Sequence, residues 1–298
     1  MSLLPLVAAV DAFPYTPTDY YTLLGHEGSP LGNVAPHAVE NLENQYLTVD
    51  HTAKTVSMSP SLDTFEKRNE AVAKMAQTWR HRDPIVAKGW RDELYVVYNP
   101  STKPYFLIER AFSSILGVVT YGVHINGIVK TAEGVKMWVP RRSQTKATYP
   151  GKLDNTIAGG VAHPLGLWEN VIKECYEEGG LEREFVESRI SSAGVVSYLC
   201  LPYGPGGHAQ PEVEYIYDLV FDSEDQKPSP VDGEAEDFRL MGLDEVLERM
   251  KAGEFKPNCT LVIIDFLIRH GVITPETEPN YLEIVQRIHR RFPFATMN

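Results

Sequence analysis

The sequence predicts an α/β fold, a mixed β-sheet packed between helices as an α/β/α sandwich, preceded by a smaller α+β domain. Two observations carry this prediction. Strand-like stretches occur before and after a helix that bears a glutamate cluster near residue 176, and two helices with clean apolar faces follow them. A sheet interleaved with such helices buries both of its faces against them.

Composition restricts the classes of protein and partner. The 298 residues suffice for one large or two smaller domains, and no stretch reaches the ~20 apolar residues that a membrane-spanning helix needs. A net charge of −12 argues against a nucleic-acid partner. An anionic small molecule would need a local basic patch or a metal ion. A homodimer is compatible with the sequence.

Cysteine content and the N-terminus bear on location. Cys175, Cys200 and Cys259 are odd in number and widely spaced, which indicates reduced thiols in an intracellular protein. The apolar run at 3–10 is short and lacks a basic leader, so it is a poor signal peptide. We expect a cytoplasmic protein, because organellar targeting is not evident.

Residues 1–116 are expected to form the α+β domain. Residues 1–60 are rich in Pro, Gly and Asn and are expected to be largely irregular. The predicted elements are short strands at 46–49 and 55–58, a helix at 62–80, strands at 93–98 and 104–109, and a short helix or loop at 111–116.

Residues 117–298 are expected to form the sandwich. Alternating apolar residues predict a hairpin with strands at 118–129 and 135–139. Further predicted elements are a helical segment at 181–188, strands at 194–201, 213–221 and 237–241, and helices at 243–251, 258–269 and 275–291.

The glutamate cluster lies between Gly159 and Leu181. If this stretch is helical, Glu174, Glu177 and Glu178 share one face, near a helix end where the dipole favours cations. Like charges at this spacing repel by roughly 0.2–0.5 kcal/mol per pair, so a cation is expected to offset them. Oxygen ligands of this kind suit Mg²⁺ or Mn²⁺. The alternative is a solvated acidic helix face, which is common.

The context favours a metal site over a solvated face. Apolar residues at 156–158 lead into Gly159-Gly160, as if a strand ended there in a tight turn. An apolar stripe at helical spacing follows, and Gly179-Gly180 predicts the end of the helix.

This stretch resembles the Nudix box, whose pattern is G-x5-E-x7-R-E-U-x-E-E-x-G-U with U aliphatic. The matching positions are Gly159, Glu174, Glu177, Glu178, Gly180 and Leu181. Lys173 stands in place of the family's Arg, Cys175 at an aliphatic position, and Leu165 in place of the first Glu. The resemblance implies a Nudix fold, a divalent metal and hydrolysis of a small-molecule diphosphate.

Further landmarks are similar to one Nudix subfamily with an extra N-terminal domain. They lie at 90–93, 122–127, 140–146, 149–151, 153–155, 158–160, 253–258 and 266–271. This subfamily is related to Nudix proteins fused to thiamine pyrophosphokinase. The resemblance implies hydrolysis of thiamine diphosphate, or of its damaged oxo and oxy analogues, to the monophosphate and phosphate.

The candidate metal ligands are Glu174, Glu177 and Glu178, and Glu177 and Glu178 are also catalytic candidates. The resemblance adds a main-chain carbonyl, that of Gly159 or Ala158. It also implies another carboxylate on a later loop, and the candidates there are Asp232, Glu234 and Glu236. We favour Glu234 as a catalytic residue, against the alternative of a solvated acidic loop. Glu212 and Glu214 are weaker candidates.

Arg141, Arg142 and Lys146 are the candidate diphosphate-binding residues, because arginine clamps phosphate oxygens in bidentate fashion. The alternative is a solubilising hairpin edge. Neighbouring residues on a strand point opposite ways, so Arg141 and Arg142 cannot both face the site on a regular strand. His124 and Asn126 share a strand face and are further candidates, although a buried, hydrogen-bonded histidine is the commoner case.

Three other functions stay open. The substrate could be a nucleoside diphosphate derivative or an isoprenyl diphosphate. Because Leu165 and Lys173 depart from the box, the domain could also bind a phosphorylated ligand without catalysis. A purely structural role fits the dense landmarks worst.

Overall fold

The structure is a computed structural model that describes residues 2–17, 19–231 and 233–297. It confirms the predicted fold class, an α/β/α sandwich with a mixed sheet and a smaller α+β N-terminal domain. Each domain buries its own apolar core.

The first part of the chain has five helices and six strands among its described residues. In order they are α1 (Leu4–Val10), β1 (Tyr21–Leu24), β2 (Pro30–Val34), α2 (Pro36–Val39), β3 (Leu47–Asp50), β4 (Thr55–Met58), α3 (Phe65–Arg82), α4 (Pro84–Gly89), β5 (Leu94–Tyr98), β6 (Pro104–Glu109) and α5 (Arg110–Leu116). The sheet order is β2-β1-β4-β3, and β5 and β6 form a separate hairpin. Thr64 caps α3 by accepting the Lys67 N–H at 3.2 Å, a contact worth about 1 kcal/mol.

The second part contains β7 (Thr120–Thr131), β8 (Gly134–Arg142), β9 (Ile157–Gly160), α6 (Leu167–Gly179), α7 (Arg183–Glu187), β10 (Ile190–Cys200), β11 (Gln210–Phe221), β12 (Ala235–Gly242), α8 (Leu243–Lys251), α9 (Pro257–Arg269) and α10 (Tyr281–Arg287). The sheet order is β10-β11-β7-β8-β12. β11 runs parallel to β7, whose first half pairs with β9 and whose end pairs with β8. One core packs against α6 and α7, and the other against α1, α8, α9 and α10.

Two predictions about secondary structure near the ends of the chain differ from the structure. Residues 1–60 hold four elements beyond the two predicted strands, namely α1, β1, β2 and α2, and several of the Pro and Gly residues mark their ends. The last helix spans only Tyr281–Arg287. Pro279 disfavours a helical conformation at the preceding residue, and Glu278 instead accepts the Leu3 N–H at 3.0 Å.

Helix α1 contacts the second domain, although the predicted division assigns residues 1–116 to the first. Val7 and Val10 of this helix are buried in the core that contains α9 and α10. Further along, Gly117 caps α5 in a left-handed conformation with φ of 61°, and β7 begins at Thr120. A division between residues 116 and 117 remains our proposal.

Backbone hydrogen bonds fasten the N-terminal domain to the sandwich. His163 N–H donates to the Leu94 carbonyl at 2.8 Å, which joins β5 to the loop after β9. Asn33 N–H donates to the Gly117 carbonyl at 3.0 Å. The hairpin β5–β6 therefore lies beside the start of the box. None of the helices in the described ranges is both long and apolar enough to cross a bilayer.

Candidate active site

Gly159 and Gly160 lie within β9, so the prediction that the strand ends before them in a tight turn was wrong. Both residues are glycine because other groups approach closely. A Cβ at Gly159 would lie 2.3 Å from Glu174 Oε2, and one at Gly160 would lie 2.2 Å from the Tyr95 hydroxyl oxygen. The two glycines thus admit α6 on one side and the N-terminal domain on the other.

Helix α6 carries the glutamate cluster. Val171 and Cys175 bury its apolar face, and the helix ends at Gly180, which has a φ of 62° as the predicted stop requires. Since the carboxylates follow this apolar stripe in the same helix, packing of α6 on the sheet fixes where their backbones lie.

The three carboxylates point in different directions. Lys173 Nζ lies 3.0 Å from Glu174 Oε1 and 2.7 Å from Glu177 Oε2. Glu178 Oε2 instead accepts the Ala158 N–H at 2.8 Å. Among the residues that the structure describes, no three His, Cys, Asp or Glu side chains converge as a metal-binding group. The predicted set therefore splits into a lysine-bridged pair and a carboxylate held by β9.

Burial and neighbouring charge shift the pKa values of this cluster. Burial raises the pKa of Glu178 to about 8, against the lowering effect of the Ala158 N–H bond. Burial also raises the pKa of Glu174, where Lys173 opposes the shift and the Glu177 and Glu93 charges add to it. The local excess of negative charge makes these side chains good partners for a cation.

Strand register decides between the two predicted main-chain ligands. Val161 N–H donates to the Tyr121 carbonyl at 2.8 Å, so antiparallel alternation makes Val123 and Gly159 the next hydrogen-bonded pair. The Gly159 carbonyl therefore points into the sheet. The N–H and C=O of Ala158 point the other way, toward the helix that bears Glu178.

The donor chemistry fits a hard divalent cation. Glu174, Glu178 and the Ala158 carbonyl offer only oxygen atoms, which Mg²⁺ and Mn²⁺ prefer. Lys173 Nζ lies within 3.0 Å of Glu174 and Glu177, so one positive charge already reaches these two carboxylates. These residues could hold the ion that the resemblance implies.

A cavity of about 450 Å³ lies between the two domains, next to β9. Its charged and aromatic lining comprises Arg91, Tyr95, Arg110, Tyr121, His124, Arg142, Lys146, Glu212, Glu214, Glu234 and Lys256. No Leu, Ile, Val, Phe or Met is among the described residues of its wall. A second cavity of about 20 Å³ shares Arg142, Lys146 and Glu234 with it and adds Glu178. The arrangement suits a polar, charged ligand.

The guanidinium of Arg142 donates most of its hydrogen bonds to other residues of the protein. Its Nη1 donates to Asp154 Oδ2 at 2.6 Å, and its Nη2 donates to the Thr148 carbonyl at 2.8 Å. Arg141 Nη1 donates to the Gly151 carbonyl at 2.8 Å, and Arg141 lies outside the cavity wall as far as that wall is described. Only one of the two arginines reaches the cavity, as alternation along β8 requires.

Of the later carboxylate candidates, Glu234 lies at the junction of the two cavities. Glu234 forms an ion pair with Lys146, and both side chains line both cavities. Glu236 Oε1 accepts the Gln144 N–H at 3.3 Å. Asp232 lies outside the described residues. Glu234 and Lys146 are thus brought together beside the small cavity that Glu178 also lines.

His124 and Asn126 lie in different surroundings, although they share a strand. His124 Nδ1 lies 2.7 Å from Asn155 Oδ1, and its other ring nitrogen lies 3.6 Å from Glu214 Oε2 at the cavity wall. Asn126 is fully buried and donates to Asp218 Oδ1 at 3.0 Å. In the described structure, only His124 of the two lines the cavity.

Glu212 and Glu214, ranked low from the sequence, occupy a central place. Tyr198 Oη donates to both carboxylates, at 2.7 Å for Glu214 Oε1. A Cβ at Gly122 would lie 2.1 Å from Glu214 Oε2, so this glycine makes room for the carboxylate. The signal was present in the sequence, since alternate glutamates on a strand share a face.

The two glutamates titrate differently. Burial and the Glu214 charge raise the pKa of Glu212. Burial also opposes ionisation of Glu214, but the His124 charge and the hydrogen bonds of His124 and Tyr198 outweigh it and lower the pKa. A proton therefore stays on Glu212 to a higher pH than on Glu214.

Sequence reasoning also missed Arg91, Arg110 and Lys256. Lys256 immediately precedes α9, and the first two belong to the N-terminal domain. No local pattern in the sequence places residues 91 and 110 beside the box, because only the packing of β5 on the second domain brings them there.

Comparisons with known proteins agree with this architecture. Residues 21–120 match a domain of unknown function, DUF4743, and residues 121–260 match the NUDIX domain. The Saccharomyces cerevisiae protein YJR142W, described as uncharacterized, is 41% identical over 325 residues, with 100% of this chain and 93% of its own length covered.

Two Arabidopsis thaliana proteins are also similar. Nudix hydrolase 24, chloroplastic, is 37% identical across 82% of this chain, and Nudix hydrolase 20, chloroplastic, is 39% identical across 79%. The matched regions span 66% and 62% of those two proteins.

Solved structures show weaker similarity. The NUDIX domain of Shewanella oneidensis NrtR, in complex with ADP-ribose, is 13% identical with a TM-score of 0.38, covering 50% of this chain and 86% of that one. A C. elegans Ap4A hydrolase is 11% identical with a TM-score of 0.36, covering 52% and 99%.

Nudix hydrolases act on small-molecule diphosphates and generally use divalent metals, typically Mg²⁺. The family match spans β9, α6, β11 and the sandwich side of the cavity. Because that match coincides with the box helix and two plant relatives are Nudix hydrolases, this chain contains a Nudix domain and is a hydrolase that acts on diphosphate bonds.

Proposed function

We propose that the protein is a Mg²⁺-dependent diphosphatase acting on thiamine diphosphate or its oxidised oxo and oxy analogues, and that Mn²⁺ can replace Mg²⁺. It releases the monophosphate and phosphate. The observation that carries the proposal is the polar cavity beside β9, with cations and carboxylates on its walls. A thiamine diphosphate has a cationic ring and an anionic tail, so it presents both charges to such a cavity.

Each end of this substrate has a matching surface. The diphosphate suits Lys146 and Lys256, which line the cavity. The cationic ring suits Glu212 and Glu214, because a buried carboxylate pair is stabilised by a positive charge. The landmarks along both domains, from Trp90 to Gly271, support the same substrate class by resemblance.

When bound, the metal would neutralise diphosphate oxygens and lower the pKa of a coordinated water. Glu174, Glu178 and the Ala158 carbonyl are the proposed ligands. Ala158 N–H orients the Glu178 carboxylate through its 2.8 Å hydrogen bond. Glu234 is the proposed catalytic carboxylate on the later loop, where Lys146 holds it at the cavity wall. Glu212, which the Tyr198 hydroxyl contacts, is the carboxyl group that keeps its proton to the higher pH.

The lining of the cavity also bears on the alternative substrates. An isoprenyl diphosphate would place its chain against a wall that lacks large aliphatic side chains among its described residues. A non-catalytic domain that binds a phosphorylated ligand is favoured by one observation, the ion pairs of Lys173 with two box glutamates. We further propose a cytoplasmic location, on composition alone.

A phosphate-release screen tests the proposal. Thiamine diphosphate, its oxo and oxy analogues, a nucleoside diphosphate sugar and an isoprenyl diphosphate are each incubated with the full chain and Mg²⁺ or Mn²⁺. We expect metal-dependent phosphate release, with the thiamine compounds at the highest kcat/KM. A higher kcat/KM for another compound would show that the thiamine diphosphates are not the preferred substrates. Ligand binding with no turnover of any compound would favour the non-catalytic alternative.

A further inference from the structure

The N-terminal domain forms one wall of the cavity. Arg91, Tyr95, Arg110 and Ser113 line it opposite the strands of the Nudix domain. Because β5 is joined to the loop after β9 by the hydrogen bond from His163 to Leu94, this wall is fixed beside the box. A domain of unknown function thus contributes side chains to a diphosphate-hydrolysing site.

Two of these side chains are arginines held in place by their own domain. Arg110 Nη1 donates to Glu93 Oε2 at 3.0 Å, and its guanidinium lies 5.9 Å from the centre of the Tyr95 ring. The Tyr95 hydroxyl itself abuts Gly160 of β9. Arg91 donates through Nη1 to the main-chain carbonyls of Lys88 and Trp90. Such support orients both arginines at the cavity.

These arginines differ from the cations of the Nudix domain. Arg142 is almost fully buried and is bound to Asp154 and to main-chain carbonyls. Lys146 is paired with Glu234. By contrast, the side chain of Arg110 is 48% exposed. The N-terminal wall therefore offers the more accessible positive charge in this part of the structure.

The surroundings of Arg110 also place it near the chemistry. Its neighbour Tyr95 reaches Gly160 of β9, and the adjacent Gly159 is the residue that the Glu174 carboxylate approaches. Arginine binds phosphate oxygens through paired, charge-assisted N–H donors, and its planar group resists deprotonation. Two such groups in the cavity wall would reach a phosphate group of a substrate bound there.

We propose that Arg91 and Arg110 bind a phosphate group of the diphosphate substrate, so that the N-terminal domain is an anion-binding part of the active site. This inference rests on the proposed diphosphatase function for its substrate class. The two arginines are substrate-binding residues, and Glu93 is a positioning residue for Arg110.

Binding of a non-hydrolysable diphosphonate tests the proposal without turnover. The affinity of the full chain for methylenediphosphonate is measured by calorimetry in the presence of Mg²⁺, for the wild type, Arg91→Gln and Arg110→Gln. We expect each substitution to weaken binding by about tenfold or more, since a charge-assisted contact is lost. Arg110→Lys keeps the positive charge but lacks the paired N–H donors of the guanidinium, so its affinity should lie between those of the wild type and Arg110→Gln.

The matched control is Arg82→Gln, which removes the same charge from an exposed position at the end of α3. It should bind the diphosphonate within about twofold of wild type, which excludes a general effect of net charge. Thermal unfolding of every variant shows that the N-terminal domain remains folded. With a hydrolysed substrate, Arg110→Gln should raise KM more than it lowers kcat.

The outcomes separate this inference from the proposed function. Diphosphonate binding as in wild type by both Arg91→Gln and Arg110→Gln overturns the inference, whatever the enzyme hydrolyses. Absence of diphosphonate binding by the wild type overturns it too. If both variants lose affinity while the wild type releases phosphate from none of the tested diphosphates, the anion site stands and the proposed function fails.

Discussion

At the scale of single residues, Lys173 answers the electrostatic problem posed by the box. Three carboxylates at the end of one helix repel each other, and Lys173 Nζ lies within 3.0 Å of two of them. The family's arginine position is thus filled by a residue that also places positive charge there. Glu178, which Lys173 does not contact in the described structure, turns to β9 instead.

Replacing Glu178 with Gln is expected to lower kcat/KM by about a hundredfold or more, because the amide loses the charge that binds the metal. The fold should persist, since the Gln side-chain oxygen can still accept the Ala158 N–H. Phosphate release at several Mg²⁺ concentrations measures the effect. Glu182→Gln, at an exposed position just beyond the box, is the control. Full activity of Glu178→Gln would show that the metal assignment is wrong.

Arg142 makes the opposite case, a candidate binding residue with a structural task. Its ion pair with Asp154 is buried, and the Lys256 and Arg142 charges hold the pKa of Asp154 below its usual range despite burial. Arg142→Gln should lower the free energy of unfolding by about 3 kcal/mol, because it leaves the buried Asp154 carboxylate without this partner.

Urea denaturation measures this difference, and Arg141→Gln on the same strand is the matched control. Arg141 contacts the Gly151 carbonyl, and its replacement should cost about 1 kcal/mol or less. Equal effects of the two substitutions would contradict the structural role of Arg142.

At the scale of elements, β9 and α6 show what the sequence could and could not reveal. The end of α6 at Gly180 follows from local chemistry, and the strands Thr55–Met58 and Pro104–Glu109 were predicted at the observed bounds. Gly159-Gly160 looked like a turn because glycine favours turns. In the structure these glycines are strand residues, selected by close approach from residues distant in sequence.

Gly159→Ala is expected to destabilise the protein by about 1–3 kcal/mol and to remove most of the activity, because its Cβ would overlap the Glu174 carboxylate. Gly166→Ala is the control within the same box, since a Cβ there meets no described atom within 4 Å. Thermal unfolding and phosphate release are measured for both variants. A Gly159→Ala enzyme with wild-type turnover would show that Glu174 need not lie against β9.

At the scale of the whole molecule, the site is assembled by two domains. Periodicity and box spacing located the glutamates, because those residues are close in sequence. Arg91 and Arg110 are remote from the box along the chain, and their place depends on how β5 packs on the loop after β9. A further contact between the domains is the histidine pair His37 and His208, whose Nε2 atoms lie 3.4 Å apart.

Because of this pair, we expect the free energy of unfolding to fall at acidic pH. Burial, and then the charge of His37, lowers the pKa of His208 to about 4 from 6.5, against a smaller opposing effect of Asp83. Tyr203 packs edge-on against the ring, and His208 is only 2% exposed. Because the folded state binds this proton more weakly than the unfolded state, the stabilising contribution is complete above pH 6.5 and is lost as the pH falls toward 4.

The wild type is compared with His208→Gln, which is neutral throughout this range, by urea denaturation at pH 7, 6, 5 and 4. The stability advantage of the wild type should shrink by up to about 3 kcal/mol, the equivalent of the pKa shift. His51→Gln, an exposed histidine of the N-terminal domain, controls for loss of an imidazole. A constant difference between wild type and His208→Gln would mean that His208 takes up its proton equally in both states. In that case the contact with His37 would join the domains by packing alone, independent of acid.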